Sequence, residues 1–155
     1  MSNLNEVAKD FTLKNTSKED VSLSQYKGKP VVLAFYPGAF TGVCDTEMCS
    51  FRDSMDVFNN ANATVLGISV DSPWANSAFS SKYNLNFTLL SDVHRNVITE
   101  YDVAYKGLGG IENYITANRA VFVLDSECLI KYKWVAESPG VEPNYEEIME
   151  IVNSL

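Results

Sequence analysis

Two short apolar runs with an amphipathic stretch between them constrain this chain most. Residues 30–36, Pro-Val-Val-Leu-Ala-Phe-Tyr, are continuously apolar and lie between Lys27-Gly-Lys29 and Pro37-Gly38. Residues 63–70, Ala-Thr-Val-Leu-Gly-Ile-Ser-Val, have the same character. Runs this short and unbroken predict strands buried on both faces. The intervening residues 42–60 carry Val43, Met48, Phe51, Met55 and Phe58 at the spacing of one helical face. Strand, helix and strand then form a unit with parallel strands and a right-handed crossover. In such folds functional sites gather at the C-terminal ends of the strands, here just after Tyr36.

The rest of the chain extends this unit. Asp71-Ser-Pro73 is a helix-start signature, followed by a helical stretch to about Tyr83 and a short strand near Phe87-Thr-Leu-Leu90. Residues 93–101 read as helix. Residues 105–118, with Gly107, Gly109 and Gly110, read as a loop that can pack near the site. Ala120-Val-Phe-Val-Leu124, a turn at Asp125-Ser-Glu127, and residues 129–135 predict a hairpin whose second strand is a half-exposed edge. After Pro139 and Pro143 the spacing of Tyr145, Ile148, Met149, Val152 and Leu155 predicts a helix with one apolar stripe. A strand pair near residues 11–13 and 21–23 opens the chain. The expected fold is α/β with a thioredoxin-like layout: a central mixed β-sheet flanked by helices, in one domain over residues 1–155.

Composition narrows the partners. Twelve Lys+Arg against twenty Asp+Glu give a net charge of −8, with no basic stripe for phosphates, so nucleic acid is not expected. The first residues show neither a basic patch nor an apolar leader, and no apolar run approaches a membrane span of roughly 20 residues. A cytoplasmic protein is expected. Its three cysteines cannot all pair within one chain, which favours thiol chemistry or simple burial over a disulfide framework. Cys44, Cys49, Cys128 and His94 offer four possible metal ligands, but their spacing lacks the close pairs of structural zinc sites, and no metal is expected.

Cys44 stands out. It follows the Pro37-Gly38 turn, at the expected first turn of a helix that leaves a buried strand. Unpaired N–H groups at a helix start, together with the helix dipole, favour negative charge and lower a thiol pKa.

The string Pro37-Gly-Ala-Phe-Thr41-Gly-Val-Cys44 resembles the P-x-x-x-T-x-x-C signature of the peroxiredoxin family, and Asn118-Arg119-Ala120-Val-Phe-Val resembles the family's arginine before a core strand. Ala8-Lys-Asp-Phe11-Thr-Leu and Ile68-Ser-Val-Asp71-Ser extend the likeness along the chain. The resemblance implies a thiol-dependent peroxidase with no metal, haem or flavin cofactor. Cys44 as thiolate would attack a peroxide oxygen and become a sulfenic acid. Arg119, always charged, would hold the thiolate and polarise the peroxide. Thr41 would bind a peroxide oxygen, Pro37 would wall the pocket, and Glu47 would orient Arg119. Read without the family, Thr41 fits an N-cap, Glu47 a capping-box partner and Arg119 a surface charge. Arg52 fits a solvated helix face, His94 a polar helix start, and Cys128 a structural thiol.

Cys49, five positions after Cys44, resembles the second cysteine of the bacterioferritin comigratory protein (PrxQ) group, in which it resolves the sulfenic acid as an intramolecular disulfide. In a regular helix five steps separate the Cα atoms by roughly 8.6 Å. A disulfide tolerates about 7 Å, so such a bond requires the first turns to unwind. Phe40-Thr-Gly-Val-Cys44 also resembles AhpE-like one-cysteine members, resolved by an external thiol. The expected partners are hydrogen peroxide or an organic hydroperoxide and a thioredoxin-like or other thiol reductant. A peroxide-responsive sensor is the alternative outside enzymology. A thiol hydrolase would have only His94 as base, and a thioredoxin-type oxidoreductase would need a C-x-x-C motif that is missing. Tyr36 and Phe40 serve either as pocket wall or as a dimer contact, leaving monomer and homodimer open.

Overall fold

The structure, a computed structural model, describes residues 3–155, with the side chain of Cys44 outside the described residues. The chain runs β1 (Thr12–Asn15), β2 (Asp20–Ser22), β3 (Val31–Phe35), α1 (Val43–Asp53), α2 (Met55–Asn60), β4 (Thr64–Ser69) and α3 (Pro73–Tyr83). It continues with β5 (Thr88–Ser91), α4 (Asn96–Glu100), β6 (Ala104–Lys106), β7 (Ile115–Ala117), β8 (Ala120–Leu124), β9 (Ile130–Val135) and α5 (Tyr145–Asn153).

Seven strands form one mixed sheet in the order β2-β1-β5-β4-β3-β8-β9. The predicted β3 and β4 pair in parallel, with Phe35 opposite Ile68, while β8 lies antiparallel on the other side of β3, with Phe35 opposite Ala120. β9 closes the hairpin with β8 and lies at the sheet edge, as its alternation predicts.

Every residue of β3 is buried, because successive side chains feed two different cores. Val31, Leu33 and Phe35 pack with Leu66, Ile68, Phe122, and with Val97 and Ile98 of α4. Val32, Ala34 and Tyr36 pack on the opposite face with Met48 and Phe51 of α1, Phe58 of α2, Phe79 of α3 and Ile148 and Val152 of α5. Each of the Val, Leu, Ile, Phe and Met side chains among them contributes about 1.5–3 kcal/mol by leaving water. The layered arrangement is the thioredoxin-like layout expected. The start of α3 follows its signature too: Ser72 Oγ accepts the Ala75 N–H at 3.2 Å, and Pro73 occupies the first turn, where its missing donor is harmless.

Three expectations change. The helix over 42–60 is two helices, broken at Ser54 (φ −100°, ψ 4°), whose N–H turns back to the carbonyls of Ser50 and Phe51. Met55 and Phe58 stay buried beyond the break, so the apolar spacing continues although the helix does not. The loop over 105–118 contains strand residues, since β6 and β7 pair as a separate two-stranded sheet. Gly107, Gly109 and Gly110, all at positive φ, carry the chain between them, and strands of three residues are too short for alternation to show. Leu155 lies beyond α5 and is 46% exposed rather than completing its stripe. Among the described residues no helix is long and apolar enough to cross a membrane.

Candidate active site

The site grows from the C-terminal end of β3. Tyr36, fully buried, donates its hydroxyl to Asn76 Oδ1 at 2.7 Å, and Asn76 Nδ2 donates to Ser91 Oγ at 3.0 Å. These bonds tie the strand end to α3 and β5. The chain then turns through residues 37–42. Asp71, just past β4, accepts the Ala39 N–H at 2.8 Å and the Ser69 hydroxyl at 2.9 Å, so a carboxylate on the neighbouring strand fixes the turn. Phe40 takes φ 62° and lays its ring edge-on against Phe79, with centroids 5.3 Å apart.

Thr41 donates its hydroxyl to the Gly38 carbonyl at 2.6 Å. It is not the N-cap that it would be if read alone. Gly42 holds that position with φ 72° and ψ −89°, and no side chain caps the helix. The donor of Thr41 is committed to the turn, which leaves its oxygen lone pairs as acceptors toward a ligand O–H. Cys44 lies in the first turn of α1, at the position predicted for it, and its side chain is outside the described residues. With no capping side chain, the early N–H groups of α1 keep their pull on negative charge.

Beneath this turn is a buried ion pair. Arg119, 1% exposed and immediately before β8, donates Nη1–H to Glu47 Oε1 at 3.0 Å, and Glu47 is 0% exposed. Arg119 Nε donates to the Pro139 carbonyl at 2.9 Å, and its backbone N–H to Asn118 Oδ1 at 2.8 Å. Asn118 in turn donates to the Ala136 carbonyl at 2.8 Å. The guanidinium is therefore held from both sides and cannot rotate away. Arg119 is not a surface charge, and Glu47 is not a capping-box partner. Burial pushes the Glu47 carboxyl up to about 8, with the charge and hydrogen bond of Arg119 pulling the other way. Its second oxygen, Oε2, is buried without a partner among the described residues.

Pro37, Thr41 and Arg119 meet in one open pocket of about 180 Å³, completed by Val43, Leu108, Pro139 and Gly140. The pocket is mainly apolar with a cation in its wall, which suits a small polar ligand with an apolar tail. Leu108 shows that the glycine-rich segment does pack near the site. Asp71, Asn118, Pro139 and Gly140 were missed as contributors. Asp71 belongs to a segment already noted for its family likeness, and only the register of β3 and β4 gives it a task.

Cys49 lies on the same unbroken helix as Cys44, half-buried and with a free thiol, so helical rise holds the two residues apart by about 7.5 Å along the axis. It lines a different, shallow pocket with Asp45, Thr46, Ser50, Asp53 and Tyr83. Burial pushes its thiol up, Arg52 pulls it down, and Asp53 and Asp45 push it up again. Arg52 is not simply solvated: Nη1 donates to the Tyr83 carbonyl at 2.6 Å and Nε to Asp53 at 2.9 Å. Cys128 is a free, buried thiol in the β8–β9 turn, whose carbonyl accepts the Ala8 N–H at 2.8 Å. His94 borders a separate cleft between β1, β5 and α4 in which no cysteine takes part.

Comparison with known proteins identifies the family. Residues 4–133 match the model of the AhpC/TSA family. The chain is 42% identical over 149 residues to the chloroplastic peroxiredoxin Q of Triticum aestivum, covering 96% of this chain and 66% of that protein. It is 38% identical over 133 residues to peroxiredoxin Bcp of Bacillus subtilis, covering 84% and 83%. The chain thus spans just under two thirds of the wheat protein's length. Among solved structures it is similar to the peroxidoxin BcpB of Mycobacterium tuberculosis, with a TM-score of 0.87 at 25% identity, covering 100% of this chain and 99% of that one. A mutant of the Xylella fastidiosa PrxQ gives 0.87 at 25%, covering 99% and 97%. The chain belongs to the AhpC/TSA family and, within it, to the peroxiredoxin Q and Bcp group.

Proposed function

We propose that this chain is a thiol-dependent peroxidase that reduces hydrogen peroxide and organic hydroperoxides at Cys44. The observation that carries the reading is the buried Arg119–Glu47 pair, which presents a fixed guanidinium in the wall of the Pro37 and Thr41 pocket beside the start of α1. A fixed cation at that point favours a thiolate and binds the two oxygens of a peroxide without reorganising. The Cys44 sulfur attacks the nearer oxygen and the O–O bond breaks. The farther oxygen leaves as water or alcohol by taking up from solvent the proton that Cys44 released on becoming a thiolate, and Thr41 accepts a hydrogen bond from the bound peroxide. Two electrons pass from sulfur to peroxide, giving a sulfenic acid.

Cys49 then resolves the intermediate. Its sulfur bonds to that of Cys44, the S–O bond breaks, and the hydroxyl leaves as water with the Cys49 proton. A thioredoxin-like dithiol returns the disulfide to two thiols. The resolving step requires α1 to open, since its helical form keeps the residues too far apart.

Peroxide consumption with a thioredoxin-type reductant tests the assignment, and Cys44→Ser is expected to abolish it. Retained consumption would reject the function. Intact mass after one equivalent of peroxide should fall by two hydrogens in the wild type and not in Cys49→Ser. A stable sulfenic acid in the wild type would instead leave resolution to an external thiol.

A further inference from the structure

Tyr83, the last residue of α3, grips α1 at two points. Its hydroxyl donates to Asp45 Oδ2 at 2.6 Å, in the first turn, and its carbonyl accepts from Arg52 at 2.6 Å, in the last turn. The ring is fixed between these contacts, with centroids 5.5 Å from Phe79 and 6.5 Å from Phe40. The other Asp45 oxygen is buried without a hydrogen-bond partner among the described residues, so this carboxylate relies on Tyr83. Among the described residues no side chain caps the turn it belongs to. Gly42 supplies no capping side chain, and the first turn's own bonds, Asp45 N–H and Thr46 N–H to the Gly42 carbonyl, measure 3.0 and 3.3 Å.

We propose that Tyr83 is a positioning residue for the resolving step, a latch whose hydroxyl holds the Cys44 turn of α1 helical until the sulfenic acid has formed. This rests on the resolving role of Cys49. Forming the Cys44–Cys49 bond unwinds the residues between the two cysteines, and Asp45 is the first of them. Its bond to Tyr83 must break for the sulfurs to meet. Arg52 lies beyond Cys49, and its bond to the Tyr83 carbonyl can persist while the first turns open. One tyrosine therefore marks the boundary between the part of α1 that releases and the part that stays. The latch slows disulfide formation and so lengthens the life of the sulfenic acid, which leaves it open longer to a second peroxide and over-oxidation to sulfinic acid.

The test is Tyr83→Phe, which keeps the ring against Phe79 and Phe40 and removes only the hydroxyl. Rapid quenching after one equivalent of hydrogen peroxide, followed by intact mass, separates sulfenic acid formation from disulfide formation. The disulfide step should quicken about two- to tenfold, the range a net hydrogen bond corresponds to, while sulfenic acid formation does not quicken. Amide exchange should accelerate over residues 43–49 and not over 50–53. The proposal is overturned if the variant forms the disulfide no faster than the wild type. It is equally overturned if both steps slow together, the mark of general packing damage. A wild type that forms no disulfide at all would remove the resolving role first and the latch with it, a result distinct from an unaltered rate.

Discussion

The two flanks of α1 are built on opposite terms. On one, Glu47, Met48 and Phe51 are buried and Glu47 is locked to Arg119 at the start of β8. On the other, Asp45, Cys49 and Arg52 are only partly covered and depend on a tyrosine at the end of α3. A buried charge pair is costly to disrupt, whereas partly solvated hydrogen bonds exchange readily with water. The contrast teaches that one short helix can hold a cation immobile on its inner side while its outer side remains free to open.

Breaking the inner flank should have the largest effect. Arg119→Ala leaves both Glu47 oxygens buried without a partner among the described residues, so we expect a stability loss of about 1–3 kcal/mol in urea unfolding. Peroxide reaction at Cys44 should slow by about 10²-fold or more, with a thiol titration showing a raised Cys44 pKa. An unchanged titration would separate Arg119 from the thiol. Breaking the outer flank is gentler on the fold. Cys49→Ser should react with the first equivalent of peroxide as fast as the wild type, yet lose about tenfold or more in steady-state turnover with a dithiol reductant. Equal turnover would assign resolution elsewhere.

The pH response sharpens the same contrast. Burial raises the Glu47 carboxyl above its ordinary value of 4.5, more than the charge and hydrogen bond of Arg119 lower it. A group whose pKa is raised on folding contributes stability that is complete below its unfolded value and is lost as pH rises through the folded value. Stability should therefore decline as pH rises above about 5 and level off once Glu47 is ionised in the folded state, and Glu47→Gln should flatten that decline. Equal slopes in urea titrations of the two proteins would assign the decline to other groups. The smallest effect is expected away from α1: Ser72→Ala removes the α3 cap, costing about 1 kcal/mol of stability with both peroxide steps unaltered.

The sequence was most legible where one local pattern decides the structure. Unbroken apolar runs marked β3 and β4, and Ser72 with Pro73 marked the start of α3. The break at Ser54 was hidden because Met55 and Phe58 keep the apolar phase across it. β6 and β7 were hidden because strands of three residues leave no period to read. The site divided in the same way. Cys44 at a helix start was readable from its flanks, but Arg119 and Glu47 are 72 residues apart and became partners only through family resemblance. Asp71 and Tyr83 reach Ala39 and Asp45 across 32 and 38 residues, and no local signal announces either contact.

The register of β3 and β8 carries one more consequence. Because Phe35 faces Ala120, the turn leading to Cys44 and the arginine preceding β8 emerge from adjacent rungs of one ladder. The site then needs no ordering step of its own: zipping these two strands during folding delivers both halves together. A slip of one residue would trade the β3 side chains between two cores of different shape and carry Arg119 one rung away from the turn, so packing and chemistry are specified by the same register.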